Sequence, residues 1–208
     1  MSIFITFEGG EGSGKSTQSR RLYENLINNG LPAMLTYEPG GTHLGEAVEH
    51  WLKWEGKEIS PLAELLLFNA ARNQSLTEVI LPNLKNGKVV ISDRYADSTT
   101  VYQGYGRGLD MEMVLGINHT ATQGLKPDLT ILMDVPAETG FCRKQDATPD
   151  RFEQEALDFH YRIRDGYLTL ASQEPERWLV VDADQDKDTI ADIIWQRVKL
   201  MLSQKKGV

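Results

Sequence analysis

The stretch Phe7–Thr17 reads FEGGEGSGKST and contains a phosphate-binding pattern. Gly9, Gly14, Lys15 and Ser16 satisfy G-x-x-x-x-G-K-[ST], directly after a β-rich segment and before a helical one. In this context the backbone N–H groups of the glycine-rich loop converge on phosphate oxygens, and the helix N-terminus adds partial positive charge. The lysine reaches the β- and γ-phosphates, and the serine hydroxyl ligates Mg²⁺. The stretch therefore predicts an ATP site at the end of a buried strand.

Outside this stretch, short apolar segments alternate with longer segments whose apolar residues recur at helical spacing. The predicted strands are Ile3–Phe7, Ala33–Thr36, Val89–Ser92, Leu129–Met133 and Trp178–Val181. The predicted helices are Lys15–Asn29, Pro61–Leu81, Asp110–Gln123, Arg151–Ser172 and Lys187–Leu202. This alternation predicts an α/β fold whose parallel sheet is covered by helices on both faces and binds ligands beyond the carboxyl ends of its strands. No repeat or linker divides the chain, so residues 1–208 are predicted to form one domain.

The composition excludes several classes of protein. The 208 residues include 22 basic and 30 acidic side chains, giving a formal charge of −8. Nonspecific nucleic-acid and anionic-membrane binders usually carry a basic face, so neither partner is expected. No apolar run approaches the roughly 18 residues of a membrane span, and the N-terminus lacks the basic region of a signal peptide. Cys142 is the single cysteine, which favours a reduced, cytoplasmic setting.

Glu11 lies inside the phosphate loop, although its charge has the wrong sign for a phosphate ligand. At about 4 Å, a carboxylate and a phosphate oxygen repel each other by roughly 4 kcal/mol at a surface-like dielectric. The side chain must therefore point away from the phosphates. It faces either a donor on a second substrate, such as a sugar hydroxyl, or solvent, and the motif alone leaves both open.

Two further stretches, one at the carboxyl edge of the sheet and one within a helix, carry residues that could bind a second substrate. Asp93 and Arg94 follow the strand VVIS, where an acid can hold the Mg²⁺ shell or orient a nucleophile and an arginine can clamp a phosphate. Phe68 and Arg72 are four residues apart in LLFNAARNQ and so share one helical face. An aromatic ring beside an arginine suits a nucleobase. Taken singly, the phenylalanine fits a core and the arginine a surface cation.

The stretches FEGGEGSGKST, EPGGT, LLFNAARNQ, DRYADSTTVYQGYGRG, KPDLTILMD and DRFEQE, in this order and spacing, closely resemble the bacterial thymidylate kinase family. The resemblance runs from about residue 3 to residue 183. It implies a P-loop NTPase three-layer fold, with a five-stranded parallel sheet flanked by helices and a mobile lid at about residues 141–151. It also implies Mg²⁺-dependent transfer of the ATP γ-phosphoryl group to dTMP, forming dTDP in dTTP biosynthesis, by a homodimer.

The resemblance also assigns roles to residues of this chain. The implied ATP-binding residues are Gly9, Gly10, Glu11, Gly12, Ser13, Gly14, Lys15, Ser16, Thr17 and Arg143. The implied dTMP-binding residues are Glu11, Glu38, Pro39, Phe68, Arg72, Arg94, Ser98, Tyr102 and Gln103. The implied catalytic residues are Lys15, Asp93, Arg94 and Arg143, with Ser16 and Asp93 as metal ligands. Among them, Glu11 matches an acid near the sugar 3′-hydroxyl, Phe68 a ring that stacks on thymine, and Arg72 a base-reading arginine.

The chain departs from the family pattern at two places. Tyr37 precedes EPGGT where the family commonly has an arginine, which predicts weaker affinity for the acceptor phosphate. The lid segment GFCRKQDATPDRFE is poor in arginine. Our hypothesis is that Arg143, with Lys144, supplies transition-state charge. The alternatives are that Lys144 is a solvated lid residue and that the less mobile Arg151 contributes.

Two other functions remain open at this stage. A deoxynucleoside kinase would use an unphosphorylated acceptor and would need a general base, for which Asp93 or Glu8 are candidates. A nucleotide-binding regulatory protein would bind ATP without transferring phosphate to a nucleotide. The EPGGT and DRYADSTTVYQG stretches fit the monophosphate kinase better than either of these.

Overall fold

The computed structural model describes residues 2–55, 58–143 and 148–206. The five strands are β1 (Ile3–Glu8), β2 (Ala33–Tyr37), β3 (Val89–Asp93), β4 (Leu129–Asp134) and β5 (Trp178–Asp182). The helices are α1 (Lys15–Asn28), α2 (His43–His50), α3 (Pro61–Ser75), α4 (Leu81–Lys85), α5 (Ala96–Thr99), α6 (Met111–Thr122), α7 (Ala137–Cys142), α8 (Leu157–Gln173) and α9 (Lys187–Lys206). Three π-helical turns, Trp51–Glu55, Leu76–Ile80 and Thr100–Gly106, follow α2, α3 and α5.

The strands form one parallel sheet in the order β2-β3-β1-β4-β5, which confirms the predicted α/β fold. All six residues of β1 are buried, as expected for a central strand covered on both faces. After β1 the chain forms β2 and β3, which lie to one side of β1 within the sheet, and then forms β4, which pairs with β1 on the opposite side. Loops that diverge in this way open a crevice at the carboxyl edge of a parallel sheet. The phosphate loop follows β1 and therefore lies at this crevice.

Helices cover both faces of the sheet and bury its apolar side chains. On one face, Ile5 of β1 belongs to a cluster that includes Leu26 of α1 and Ile194 of α9. On the other face, Leu132 of β4 packs in a cluster with Ile163 of α8. These contacts pack the sheet against helices on both faces. The loops at its carboxyl edge are therefore attached to a rigid, close-packed core.

Helix α3 begins where the sequence places its start. Ser60 is the N-cap residue and its hydroxyl accepts a hydrogen bond from the Ala63 N–H at 3.3 Å, while Pro61 occupies the first turn. The helix continues into the π-helical turn Leu76–Ile80 and then α4. This long segment carries Phe68 and Arg72 below the crevice.

The predicted helix Arg151–Ser172 is wrong at its N-terminal end, because α8 begins at Leu157. The preceding residues form a separate turn, in which Asp150 Oδ1 accepts the Phe152 and Glu153 N–H groups at 2.9 and 3.1 Å. The Arg151 side chain turns away to donate to the Leu52 carbonyl at 2.9 Å and to Glu64 at 2.5 Å. These tertiary contacts outweigh the local helical spacing.

The predicted lid, about residues 141–151, is described only in part. Its residues 144–147, including Lys144, lie outside the described residues. In residues 2–55, 58–143 and 148–206, none of the helices combines the length and apolar character that crossing a membrane requires.

Candidate active site

The phosphate loop joins β1 to α1 and surrounds the amino group of Lys15. This side chain is buried, and its Nζ donates to the Gly10 carbonyl at 2.7 Å and to Ser13 Oγ at 3.2 Å. Burial, assisted by the nearby Arg94 charge, lowers the pKa of Lys15 to about 8. The loop thus holds an ammonium group that titrates within about one pH unit of neutrality.

The loop packs directly on another helix, α7. Gly12 has a φ of +65°, and a Cβ atom placed there would lie 2.0 Å from the Gly140 carbonyl oxygen of α7. A Cβ atom on Gly140 would lie 2.2 Å from the Glu11 carbonyl oxygen. Backbone meets backbone at this point, so glycine is required at both positions.

Ser16 and Asp93 come together at the first turn of α1. Phe7 pairs with Asp93 across β1 and β3, which brings the end of β3 level with the start of the loop. Ser16 Oγ donates to Asp93 Oδ2 at 2.5 Å. A hydroxyl and a carboxylate at this spacing are oxygen ligands of the kind that Mg²⁺ binds together with substrate phosphates and water. The donor set therefore fits the magnesium ion that the sequence implies.

Arg94 is at the centre of the site, in a backbone conformation with φ of 74°. Its Nη2 donates to Glu11 Oε1 at 2.7 Å and to the Tyr102 hydroxyl at 3.3 Å. Its Nη1 donates to the Gly9 carbonyl at 3.3 Å and to Ser98 Oγ at 3.2 Å. The side chain is 20% exposed, so part of the guanidinium faces open space.

The side chain of Glu11 points away from the loop amides, as the sign of its charge required. It accepts hydrogen bonds from Arg94 and, at 3.0 Å, from the Tyr102 hydroxyl. Both partners line the cavity on the far side of the loop. Of the two environments left open by the sequence, Glu11 thus faces this second cavity.

Glu8 is fully buried behind Arg94. One carboxylate oxygen accepts the Tyr95 N–H at 2.8 Å, and the other accepts the hydroxyls of Ser98 at 2.5 Å and Tyr167 at 3.0 Å. Burial raises the pKa of Glu8 to about 7, and these hydroxyl donors oppose the shift. Because both oxygens are bonded and none of the residue is exposed, Glu8 is not placed to accept a proton from a substrate hydroxyl.

The second cavity encloses about 700 Å³ when the space open to solvent is included. All nine residues of the predicted dTMP set line it: Glu11, Glu38, Pro39, Phe68, Arg72, Arg94, Ser98, Tyr102 and Gln103. It is also lined by Glu49, Leu52, Lys53, Thr99, Asp150 and Phe152, which the sequence did not single out. The Phe68 and Phe152 ring centroids are 5.8 Å apart. This pair forms part of the apolar wall of the cavity, to which Leu52 and Pro39 also belong.

Arg72 is buried, unlike an ordinary surface cation. Its Nε donates to Glu38 Oε2 at 2.8 Å, and its other nitrogens donate to Thr99 Oγ1 at 2.8 Å and to the Tyr95 carbonyl at 3.0 Å. It also lies near the side-chain oxygens of Asn69 and Asn118, each at 3.3 Å. The guanidinium is therefore held in one orientation at the cavity wall.

Two buried oxygens at the cavity have no hydrogen-bond donor in the described part of the chain. They are Glu38 Oε1 and Gln103 Oε1. The Gln103 amide is oriented by its Nε2, which donates to Glu64 Oε1 at 2.8 Å. Buried acceptors normally find a donor, so each marks a position where a bound molecule could supply an N–H or O–H group.

The phosphate loop opens into a cavity of its own, the donor cavity. Its lining includes Glu11, Gly12, Ser13, Gly14, Lys15, Ser16, Thr17, Asp93, Arg94 and Arg143, whereas Gly9 and Gly10 lie in the loop but not in this wall. Arg143 donates to the Ala183 carbonyl at 3.0 Å and to Asp184 Oδ1 at 2.8 Å. The predicted charge donor of the lid thus lies at the donor cavity with its guanidinium bonded to the loop after β5.

The donor cavity and the second cavity, hereafter the nucleoside cavity, meet at the carboxyl edge of the sheet. A phosphate loop that adjoins a second ligand cavity across an arginine is typical of a nucleotide kinase of the P-loop class. The comparisons with known proteins agree. A family model described as Thymidylate kinase matches residues 7–194.

Individual relatives give the same result over nearly the whole chain. A thymidylate kinase of Dehalococcoides mccartyi is 51% identical over 203 residues, which cover 97% of this chain and 98% of the relative. A thymidylate kinase of Roseiflexus castenholzii is 45% identical, covering 93% of this chain and 91% of that protein. The crystal structure of thymidylate kinase from Ehrlichia chaffeensis superposes with a TM-score of 0.78, at 36% identity, over 95% of this chain and 98% of that one.

The chain belongs to the thymidylate kinase family. Members of this family phosphorylate dTMP to dTDP using ATP, and the chain is an enzyme of this kind.

Proposed function

We propose that the phosphoryl transfer from ATP to dTMP takes place where the donor and nucleoside cavities meet. One observation carries this proposal: Arg94 lines both cavities, with its guanidinium between the phosphate loop and Tyr102. A cation at the boundary of two cavities can contact a donor phosphate and an acceptor phosphate at once. ATP then occupies the phosphate loop and dTMP the nucleoside cavity.

The donor side binds ATP and its metal. The loop residues Gly9–Thr17 supply backbone N–H groups, and Lys15 supplies positive charge to the phosphates. Ser16 and Asp93 would hold Mg²⁺, which when bound neutralises phosphate charge and fixes the orientation of the phosphate chain. Arg143 adds a cation from the far wall.

On the acceptor side, each part of dTMP has a chemically matched partner. The Phe68 ring is the stacking surface for thymine, and the Gln103 oxygen that lacks a donor can accept the thymine N3–H. Arg72, fixed by its buried partners, directs a donor toward a base carbonyl. Glu11 and Tyr102 meet the sugar. The remaining predicted residues, Glu38, Pro39 and Ser98, complete the wall.

The chemistry needs little beyond alignment and charge. The dTMP phosphate is already an anionic nucleophile, so no side chain has to remove a proton from it. Catalysis then depends on holding the acceptor oxygen in line with the γ-phosphorus and on neutralising the equatorial oxygens with Lys15, Arg94 and Arg143. The burial of Glu8 supports this scheme over a deoxynucleoside kinase that would need a base there.

An assay with a panel of acceptors tests the proposal. The protein is incubated with ATP, Mg²⁺ and one of dTMP, dUMP, dCMP, AMP or thymidine, and ADP formation is followed. We expect rapid turnover with dTMP. Rapid turnover with thymidine and none with dTMP would assign a deoxynucleoside kinase instead, and ATP binding without turnover on any acceptor would indicate a regulatory protein.

Glu11→Gln is expected to weaken dTMP binding and to leave ATP binding near normal. The carboxylate faces the nucleoside cavity and orients both Arg94 and Tyr102, so its loss removes about one charge-assisted hydrogen bond, roughly a tenfold rise in the KM for dTMP. Steady-state kinetics with each substrate varied in turn measure both constants. A rise in the KM for ATP with an unchanged KM for dTMP would move Glu11 to the donor site.

ATP affinity is expected to fall as the pH rises from 7 to 9. The pKa of Lys15 is about 8 in the free protein, so the side chain is mostly charged at pH 7 and mostly neutral at pH 9. Binding an anion to the neutral form requires uptake of a proton, which costs about tenfold in affinity at pH 9. Titration calorimetry at both pH values measures the change. Lys15→Arg, which stays charged, is the control, and a wild-type affinity that does not vary with pH would contradict the assignment.

We further propose that the enzyme is a cytoplasmic homodimer acting in dTTP biosynthesis. Leu62 and Leu66 lie four residues apart on α3 and are 42% and 50% exposed, and Leu115 on the adjoining α6 is 51% exposed. A second copy of the chain would cover these side chains. Sedimentation velocity gives the mass directly. The cytoplasm supplies ATP, and dTDP is one phosphoryl group short of dTTP.

A further inference from the structure

The junction between the two cavities is formed by few residues. Five side chains line both cavities: Glu11, Glu38, Glu49, Lys53 and Arg94. Phosphoryl transfer requires the attacking oxygen within about 3–3.5 Å of the γ-phosphorus. The acceptor phosphate must therefore lie at this junction, in contact with some of these five residues.

The three carboxylates of the junction are each paired with a cation. The pairs are Glu11–Arg94 at 2.7 Å, Glu38–Arg72 at 2.8 Å and Glu49–Lys53 at 2.6 Å. In each pair the acid offsets charge of its cation, so a phosphate dianion gains full attraction only if one cation turns from its acidic partner toward the phosphate. The geometry of the three cations decides which of them can do so.

The three cations Arg72, Arg94 and Lys53 differ in exposure and in the hydrogen bonds that hold them. The Arg72 side chain is 2% exposed and is fixed by its buried acceptors. The Arg94 side chain is 20% exposed and donates to groups on several elements. The Lys53 side chain is 36% exposed and, among the described residues, its ammonium donates one hydrogen bond, to Glu49. An ammonium on a flexible four-carbon stem can exchange one oxygen partner for another with little rearrangement.

The backbone that carries Lys53 is firmly held. Lys53 belongs to the π-helical turn Trp51–Glu55, where Arg151 donates from its side chain to the Leu52 carbonyl at 2.9 Å and from its backbone N–H to the Lys53 carbonyl at 3.3 Å. The flexible part of the residue is thus the stem alone. Because the Lys53 backbone is held in place, its ammonium can change partners and still remain within the junction.

Tyr37 does not supply a charge in its place. Its hydroxyl donates to Glu46, its side chain lines the donor cavity and not the nucleoside cavity, and the residue is 41% exposed. The loop after β2 therefore brings no free cation to the acceptor phosphate. The two cations that line both cavities are Arg94 and Lys53, and Lys53 is the less constrained of the two.

We propose that Lys53 is an acceptor-phosphate-binding residue, which exchanges its ion pair with Glu49 for the phosphate of dTMP when the nucleotide enters. This inference rests on the proposed position of dTMP in the nucleoside cavity. Together with Arg94, which also lines both cavities, Lys53 then supplies a second cation to the acceptor phosphate. It also accounts for how a chain with tyrosine at position 37 binds this phosphate.

Binding of dTMP and of thymidine to Lys53→Met tests the proposal, because the two ligands differ only in the phosphate. We expect the variant to bind dTMP about tenfold to a hundredfold more weakly, the loss of one charge-assisted hydrogen bond, and thymidine within about twofold of wild type. Titration calorimetry without ATP gives both constants. Lys53→Arg should regain most of the dTMP affinity. Lys126→Met, which removes a lysine that is 73% exposed and lines neither cavity, should change neither.

Two outcomes would overturn the inference while the proposed function stands. One is dTMP affinity of Lys53→Met within about twofold of wild type. The other is an equal loss for dTMP and thymidine, which would make Lys53 a support of the cavity wall. If the wild-type protein does not bind dTMP at all, the proposed acceptor site is wrong, and the inference about Lys53 is then wrong as well. Unchanged thymidine binding also shows that the variant is folded.

Discussion

Arg94→Met is expected to lower kcat by about 10³-fold while leaving the KM for ATP near its wild-type value. The guanidinium lies between the phosphate loop and the nucleoside cavity, in contact with Gly9, Glu11 and Tyr102. The phosphoryl group that moves from the leaving oxygen to the acceptor passes this point, and negative charge builds up on the leaving oxygen as it does so. An interaction of this kind is strongest in the transition state, so its loss falls mainly on kcat.

Two variants separate this role from indirect effects. Arg94→Lys keeps the charge but loses the planar fork, so an intermediate rate is expected. The double variant Arg94→Met, Glu11→Gln removes the carboxylate that the single change leaves beside the phosphates. It should stay far below wild type. Recovery to near the wild-type rate would instead show that repulsion by Glu11 had caused the loss, and a single variant with less than about a tenfold drop in kcat would exclude Arg94 from the chemistry.

Arg72→Met is expected to destabilise the fold by about 3–5 kcal/mol, because it leaves the buried Glu38 carboxylate without its cation. It also removes the donor to Thr99 and to the Tyr95 carbonyl. At this chain length the loss corresponds to a fall in Tm of roughly 6–20 °C. Urea unfolding followed by circular dichroism gives the free energy of unfolding and checks the value.

The charge balance supplies the control for this experiment. Adding Glu38→Gln to Arg72→Met removes the uncompensated charge and should return part of the lost stability. Lys199→Met, at an exposed position of α9, should stay within about 0.5 kcal/mol of wild type. A loss below about 1 kcal/mol for Arg72→Met would mean that the fold does not depend on this pair, and that the arginine is held for the ligand alone.

The sheet and its ligand edge were predictable because their signals are local. Each strand is a short apolar run and each predicted strand overlaps an observed one, while Ser60-Pro61 marks the start of α3 in the sequence itself. Phe68 and Arg72 could be paired because a helix fixes the geometry of residues four apart. The family motifs then drew together nine of the residues that line the nucleoside cavity.

The features that escaped prediction depend on contacts between distant segments. Lys53 and Glu49 lie in a stretch that looks like an ordinary solvated helix, and Arg151, 98 positions later, holds its end against the cavity. The same arginine ends the predicted helix Arg151–Ser172 early by turning toward Glu64. The burial of Arg72 likewise depends on hydrogen bonds to Glu38, Thr99 and Tyr95. No sequence periodicity connects these residues to it.

The contact between Gly12 and Gly140 limits how this sequence can vary. Each position is closed by the backbone of the other segment, at 2.0 and 2.2 Å from where a side chain would begin. Even alanine, the smallest side chain, would separate the phosphate loop from α7, because the clash involves the Cβ atom that every other residue carries. If both codons were randomised and cells were selected for growth that depends on this enzyme, glycine would therefore be recovered at both positions. The result should be the same for variants that accept a different nucleotide.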